Sequence, residues 1–227
     1  MKKLDPKQPI DVGALTRALI ARKIMTPRFR FPADEEQTVA MLYACYQAEV
    51  VRRGCIFIDN AEVRSNLLLI AKALTTDNNC FGILLCGTCG NGKTSIMFGF
   101  QNLVAYLIGK GLIDSQFKGL RVMDAVEAFE LAKNKDFRET VSDLPMLGIE
   151  DMGREPTDVV NYGNYSSPLV NLLEYRYHRQ LFTFITTNLN ANDITGKYGT
   201  RIADRFREMM NIIPFKNATF RKKRDVK

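Results

Sequence analysis

The chain has 227 residues, of which 46% are apolar and 25% charged, and 32 basic against 25 acidic residues give a net charge of +7. This composition is typical of a globular protein, and the length suffices for one α/β domain with an appendage. No apolar run approaches a membrane span and the N-terminus lacks the apolar core of a signal peptide, so we expect a cytoplasmic protein without membrane contact.

The positive charge is concentrated at the two ends of the chain. Residues 1–30 carry a balance of +6 and residues 216–227 a balance of +5, which leaves −4 for the residues between them. Such ends bind nucleic acid or an acidic protein face, or they are solvated termini. Aromatic residues for base stacking are not interleaved with the basic ones, so these alternatives stay open.

Helices are predicted for most of the N-terminal part of the chain. They cover residues 11–25, 33–53 and 60–74, and the first of them is basic and amphipathic. Pro27 and Pro32 indicate a linker over residues 26–33. We therefore divide the chain into a helical N-terminal region, residues 1–59, which is a candidate partner-binding segment, and a main domain, residues 60–227.

The most informative stretch covers residues 81–95. It reads FGILLCGTCGNGKTS and contains the P-loop pattern, in which a glycine is followed by four residues and then by Gly-Lys-Thr. The apolar run over residues 83–86 predicts a buried strand before the loop, and apolar residues at helical spacing from Ile96 to Leu107 predict a helix after it. We therefore expect the loop to bind phosphate through its backbone N–H groups and the positive end of the helix dipole.

The residue types of this loop suit a nucleotide with its magnesium ion. Lys93 would reach the β- and γ-phosphates, and the Thr94 hydroxyl would ligate Mg²⁺. The predicted nucleotide contacts are Gly87, Cys89, Gly90, Asn91, Gly92, Lys93, Thr94 and Ser95.

The chain has five cysteines, an odd number, and most lie in apolar stretches, which argues against a disulfide framework. Cys86 and Cys89 form a CxxC, but there is no second CxxC and His178 is the only histidine, so we do not expect a zinc site. A redox switch on the loop stays open beside the interpretation as incidental thiols.

Strands and helices alternate from the P-loop onward. The further expected strands cover residues 120–123, 145–149, 181–187 and 212–215, and the helices cover residues 124–135, 168–178 and 200–210. This alternation predicts a parallel sheet with helices on both faces. Pro214 places the last strand at a sheet edge, because proline cannot donate to a central ladder.

Polar residues follow two of these strands. Glu150 and Asp151 end a buried strand, which is where P-loop enzymes place the groups that hold Mg²⁺ and polarise the attacking water. Asn188 ends the next strand, where an amide can position that water. We therefore expect Thr94 and Glu150 to hold the metal, with Asp151 next to the water.

Three arginines complete the candidate residues. Arg201 and Arg205 lie four apart on one predicted helix face, where they form either a solvated surface or an arginine finger for a neighbouring subunit. Arg221 follows the last strand and could reach the nucleotide of its own chain.

In their order, these motifs resemble the AAA+ ATPases of the DnaC/DnaI helicase-loader and IstB transposition-helper group. The resemblance covers about residues 60–221 and rests on GTCGNGKTS, MLGIEDMGREP, LLEYRYHR before FITTNL, and YGTRIADRFRE. It assigns Walker A to residues 87–94, Walker B to Glu150 and Asp151, sensor 1 to Asn188, the arginine finger to Arg205 and a sensor-2-like role to Arg221. It also implies a five-stranded sheet, ATP as the ligand, and assembly in rings or spirals.

Two departures from the family bear on function. Glu150 stands where the family carries Asp, which affects hydrolysis more than binding. The chain ends six residues after Arg221, so we expect the C-terminal helical lid to be reduced or absent.

The resemblance implies a slow ATPase that acts as a helicase loader or replication accessory protein. Its expected partners are a replicative helicase or a transposase, DNA with single strands favoured, and further copies of itself when ATP is bound. The alternatives are an IstB-like transposition helper and a poorly hydrolysing ATP-dependent adaptor. A small GTPase is disfavoured, because no Asn-Lys-x-Asp motif occurs.

Overall fold

A computed structural model of the protein describes residues 11–22, 28–133, 143–156, 159–161, 164–216 and 219–220. The helices in these ranges are α1 (Val12–Arg22), α2 (Glu35–Arg52), α3 (Ala61–Thr75), α4 (Lys93–Gly109), α5 (Ala125–Lys133), α6 (Pro168–Arg179), α7 (Ala191–Tyr198) and α8 (Thr200–Met209). The strands are β1 (Gly82–Gly87), β2 (Arg121–Asp124), β3 (Met146–Met152), β4 (Val159–Asn161), β5 (Asn164–Ser166), β6 (Phe182–Thr187) and β7 (Met210–Phe215). Within these ranges, every helix is too short or too polar to cross a membrane.

Five of the strands form an all-parallel sheet in the order β2-β3-β6-β1-β7. The predicted five-stranded parallel sheet is therefore confirmed. The strand that contains Pro214 lies at an edge, as its proline required. Because all the strands run the same way, the carboxyl ends of β1, β3 and β6 meet at one end of the sheet, where ligands bind in open α/β folds.

The central strand β1 supplies side chains to two apolar cores. Ile83 and Leu85 belong to the core that α2, α3 and α4 cover, and Leu84 belongs to the core on the opposite face, under α5, α6 and α8. This alternation follows from the two-residue period of a strand. Burial on both faces explains why β1 is a continuous apolar run.

Helix α2 packs closely along α4, which follows the P-loop. A Cβ atom on Gly99 of α4 would lie 3.0 Å from the carbonyl oxygen of Cys45, so a side chain there would push the helices apart. Leu42 and Tyr46 of α2 are buried in the same core as β1. Helix α2 is therefore part of the main core, and the functional division between residues 59 and 60 stays a prediction.

The predicted linker over residues 26–33 is wrong at two positions. Phe29 and Phe31 are buried in the core. The ring of Phe29 lies edge-on to Phe182, with centroids 5.0 Å apart, and 6.4 Å from Phe100. Nearby prolines prevent a helix, but they do not prevent an extended segment from packing its aromatic side chains inward.

Candidate nucleotide-binding site

The P-loop lies between the end of β1 and the start of α4. Gly92 caps α4 with a φ of 97°, and Gly87 has a φ of 148°. A Cβ atom on Gly87 would lie 2.3 Å from the Phe215 carbonyl oxygen, and one on Gly92 would lie 2.5 Å from the Tyr46 hydroxyl. Both positions therefore require glycine. The first turn of an α-helix leaves N–H groups without helical acceptors, which favours an anion at this loop.

The side chain of Lys93 folds back over the loop. This residue is 4% exposed, and its Nζ donates to the carbonyl oxygens of Gly87 at 2.6 Å and Thr88 at 2.8 Å, and to Asn188 Oδ1 at 3.1 Å. Burial lowers the pKa of Lys93, and the nearby charge of Asp151 opposes that shift. A buried ammonium held by neutral oxygens gains strongly from a phosphate oxygen, so Lys93 is prepared for an anion.

Glu150 and Asp151 lie at the carboxyl end of β3, where the strand contains a β-bulge. From Ile149 to Met152 the pairing advances three residues along β3 but only two along β6. Asp151 has a φ of 51°, in the left-handed region. Consecutive residues of a regular strand point to opposite faces, but at this bulge both acids line the same pocket.

Asp151 is held in this conformation by its neighbours. Its N–H donates to Thr186 Oγ1 at 3.0 Å, and Arg154 Nη1 lies 3.5 Å from its Oδ2. The carboxylate is still partly exposed. It is therefore fixed by its backbone and remains accessible to water or a ligand.

Asn188 follows β6 and reaches the same site through its bond with Lys93. The buried Thr187 donates through Oγ1 to the carbonyl oxygen of Met152 at 2.5 Å and accepts from the N–H of Leu189 at 3.1 Å. These bonds tie the end of β6 to the end of β3. The amide and the two acids are therefore held at a fixed separation.

These residues line one pocket of about 760 Å³. Of the predicted nucleotide contacts and catalytic residues, those on its wall are Cys89, Gly90, Asn91, Gly92, Lys93, Thr94, Ser95, Glu150, Asp151 and Asn188. Gly87 adjoins them through its bond with Lys93. The volume lies within the range of small-molecule sites, about 300–1,000 Å³.

Another part of the pocket wall comes from residues that the sequence did not assign to the site. They are Tyr46, Val50, Arg53, Cys55, Ile56, Ile58 and Phe220. The helical spacing of the first three predicts a shared face of α2, but no local signal shows that this face meets the P-loop. The apolar residues of this wall suit the base and ribose of a nucleotide.

Comparisons with known proteins identify the fold. No protein-family model matches the sequence, and no curated protein is significantly similar to it. The crystal structure of DnaI is similar with a TM-score of 0.50 and 16% identity, covering 70% of this chain and 87% of that chain. A candidate primosome component from Streptococcus pyogenes serotype M3 gives a TM-score of 0.52 and 21% identity, covering 73% of this chain and 86% of that chain. The chain shares the fold of these two structures.

The shared fold confirms the predicted α/β architecture and the structural likeness to DnaI that the order of the sequence motifs implied. Identities of 16% and 21% relate the folds alone. The activity of this chain must therefore be argued from its own pocket.

Arg205 is not among the residues that line this pocket. Its guanidinium pairs with Glu174 and lies over the ring of Tyr177, 5.1 Å from the centroid, and its side chain is 12% exposed. Arg201 pairs with the same carboxylate oxygen at 2.9 Å, and its side chain is 69% exposed. A role for Arg205 in a neighbouring subunit stays a prediction, and Arg221 lies outside the described residues.

The oxygen donors of the pocket suit a hard divalent cation. The Thr94 hydroxyl and the carboxylates of Glu150 and Asp151 all line it. Mg²⁺ prefers oxygen ligands and usually takes one or two protein carboxylates together with substrate phosphates and water. Across the described ranges, no three His, Cys, Asp or Glu side chains gather into a metal site. The predicted Mg²⁺ ligands Thr94 and Glu150 stay a prediction.

The two cysteines of the loop differ in environment. Cys89 is exposed and Cys86 is partly buried, and both are free thiols. Burial raises the pKa of Cys86, which disfavours the reactive thiolate. Cys86 therefore fits an incidental thiol, and a redox role for Cys89 stays a prediction.

Proposed function

We propose that this protein is an AAA+ ATPase that binds Mg-ATP at the P-loop and hydrolyses it slowly. The observation that carries the proposal is that Lys93 and Asn188 bond to each other in the pocket that Glu150 and Asp151 also line. A buried cation beside a helix N-terminus suits phosphate groups, and nearby carboxylates suit a metal ion and a water. A site that binds only an anion would not need the carboxylates of Glu150 and Asp151.

The residues divide the work of binding ATP. Backbone N–H groups of residues 90–94 would bind the phosphates, and Lys93 would exchange its loop carbonyls for β- and γ-phosphate oxygens. Thr94 and Glu150 would hold Mg²⁺, which when bound neutralises charge on the phosphates. The apolar wall from α2 and the segment after it would cover the base and ribose.

Asp151 and Asn188 would orient the attacking water. The family that the sequence resembles carries Asp and then Glu, so the reversed order in this chain puts the shorter carboxylate next to the water. A shorter reach weakens general-base contact, which favours slow hydrolysis. The same observation favours the second candidate, an adaptor that binds ATP and hardly hydrolyses it.

The substitution Lys93→Ala tests nucleotide binding. We expect it to abolish Mg-ATP binding measured by calorimetry, while Lys110→Ala, at the other end of α4, leaves the affinity unchanged. Circular dichroism checks the fold, and Lys93→Met, which keeps the apolar stem, replaces the alanine variant if that one unfolds. ATP affinity equal to the wild type in a folded Lys93 variant would overturn the proposal.

We also propose that the chain is a replication accessory protein of the helicase-loader kind. The structural likeness to DnaI and to a candidate primosome component supports this role. On this proposal the ATP-bound chain assembles with further copies of itself and acts on a replicative helicase and single-stranded DNA.

Capture of partners from host lysate tests the role in replication. The bait is the wild-type chain with ATP, and Lys93→Ala with ATP is the control. Recovery of a helicase with the wild type alone would support a loader, whereas recovery of a transposase would support the transposition helper instead.

A further inference from the structure

The last turn of α2 carries a buried carboxylate that holds two guanidinium groups. Glu49 is fully buried between α2 and α4. Its Oε1 accepts from Arg53 Nε at 2.6 Å, and its Oε2 accepts from Arg52 Nε at 2.9 Å. Burial raises the pKa of Glu49, but the bonds from both arginines outweigh it, so the pKa lies below its ordinary value. One negative charge therefore faces two positive charges.

The two arginines differ in where they lie. Arg52 is 67% exposed and is not among the residues that line the pocket, whereas Arg53 is 35% exposed and lines it together with Thr94 and Ser95. The Arg53 guanidinium also lies over the ring of Phe98, 5.0 Å from the centroid. Arg53 is therefore fixed on two sides and open toward the pocket.

Arg53 still has donors for a ligand. Its Nε is used by Glu49, and within the described part of the chain its terminal nitrogens make no hydrogen bond. A guanidinium whose Nε is bound presents its remaining N–H groups in a fixed plane. The surplus positive charge of the cluster therefore lies on a residue that lines the pocket.

The place of Arg53 in the pocket indicates which part of a nucleotide it meets. Phosphates belong at the N-terminus of α4, next to Lys93. Phe98, on which Arg53 lies, is almost one turn beyond Ser95 along α4 and so further from the helix N-terminus. Arg53 lines the pocket together with the apolar residues Val50 and Ile56. The phosphate end of the site is thus already supplied with a cation, and Arg53 lies toward the other end.

We propose that Arg53 is a nucleotide-binding residue that donates to the nucleoside end of the ligand, its ribose hydroxyls or base acceptors, and that Glu49 is its positioning residue. This inference rests on the proposed ATP binding and deepens it. It gives the N-terminal part of the chain a direct contact with the nucleotide.

The chain offers a matched control, because Arg52→Ala and Arg53→Ala each remove one guanidinium from Glu49. The full-length variants are compared by displacement of a fluorescent ATP analogue, with Mg-ATP and Mg-tripolyphosphate as competitors. We expect Arg53→Ala to weaken Mg-ATP binding about tenfold, the worth of one charge-assisted hydrogen bond, and Arg52→Ala to leave it unchanged. Tripolyphosphate, which lacks a nucleoside, should compete equally in all three proteins.

Glu49→Gln tests the positioning role. This variant keeps both arginines but removes the negative charge that holds them. The preference for ATP over tripolyphosphate should therefore fall, but not below the preference measured for Arg53→Ala. A purely structural carboxylate would change the melting temperature and leave that preference unchanged, which would overturn the role assigned to Glu49.

Three outcomes overturn the assignment of Arg53. One is equal loss of ATP affinity in Arg52→Ala and Arg53→Ala, which would indicate a structural cluster. Another is parallel loss of tripolyphosphate affinity, which would place Arg53 at the phosphates. The third is unchanged ATP affinity in folded Arg53→Ala. Failure of the wild type itself to bind ATP is a separate result and would refute the proposed function instead.

Discussion

At the scale of single residues, Lys93 and Asp151 are both held in unfavourable states. Lys93 keeps a charge where burial disfavours it, and Asp151 adopts a positive φ that is uncommon outside glycine. Both side chains line the pocket, so packing of the core does not explain either state. Local strain of this kind concentrates at functional sites, and here it coincides with the groups proposed to bind phosphate and water.

The strain at Asp151 makes its substitution informative. Asparagine tolerates the left-handed region, so Asp151→Asn keeps the bulge and removes only the charge. We expect ATP affinity to be retained and single-turnover hydrolysis to fall about 100-fold, the lower range for loss of a general base. Glu150→Gln serves as the comparison. A wild-type rate in Asp151→Asn, with loss of hydrolysis in Glu150→Gln, would transfer the water-polarising role to Glu150.

At the scale of elements, the segment before α2 contributes to stability although it has no regular structure. Phe29→Ala removes a buried ring that contacts Phe182 and Phe100, so we expect the free energy of unfolding to fall by about 3–5 kcal/mol. Ile20→Ala, on the exposed helix α1, should change it by less than about 0.5 kcal/mol. Denaturant titration measures both. Equal, small effects would mean that residues 28–31 do not belong to the folding core.

The elements differ in how well the sequence predicted them. The strands that became β1, β3 and β6 have long apolar runs, and the helix that became α4 has a clear helical period, so hydrophobic patterning was enough. Helix α7 was missed because it has 8 residues and contains Gly196, and its capping box at Asn190 and Asp193 was its main signal. The hairpin of β4 and β5 was also missed, since strands of three residues carry little periodicity.

The candidate site was predictable on one wall and not on the other. Phosphate-loop and strand-end residues were identifiable because topology gathers the carboxyl ends of parallel strands. The wall from α2 was not, because Tyr46 and Arg53 meet the loop only through packing across Gly99 and Gly92, far away in sequence. Tertiary packing decides which face of a helix a ligand meets.

At the scale of the whole molecule, the concentration of positive charge at the chain ends leads to a prediction about the salt dependence of DNA binding. The C-terminal residues 222–227 lie outside the described part of the chain and carry four basic residues and one acid. Their removal should flatten the salt dependence of single-stranded DNA binding by about 0.7 log units per lost phosphate contact and leave ATP affinity alone. Titrations of a fluorescent oligonucleotide at several salt concentrations measure this slope. An unchanged slope would leave residues 1–30 as the candidate DNA contact.

Assembly into oligomers also belongs to the scale of the whole molecule. Arg205 is the residue that would link one subunit to the nucleotide of the next. Arg205 is held by Glu174 and is not on the pocket of its own chain, so to act on a nucleotide it must exchange that carboxylate for a neighbour's phosphates. Phosphates carry more negative charge than one carboxylate, so the exchange is electrostatically favourable. If it occurs, each subunit completes the site of the next, and ATPase activity should rise with protein concentration.

Mixing two inactive variants tests this arrangement. Arg205→Ala keeps an intact Lys93, and Lys93→Ala keeps an intact Arg205, so a contact between the two variants restores one complete site. We expect each variant alone to be inactive and the mixture to regain part of the wild-type ATPase rate, with a maximum at intermediate ratios and constant total protein. Cross-linking of differently tagged chains verifies that the variants assemble together. A co-assembled mixture without activity would make Arg205 a structural partner of Glu174 and Tyr177. The result would mean that Arg205 of a neighbouring subunit cannot replace the guanidinium that Arg205→Ala removes.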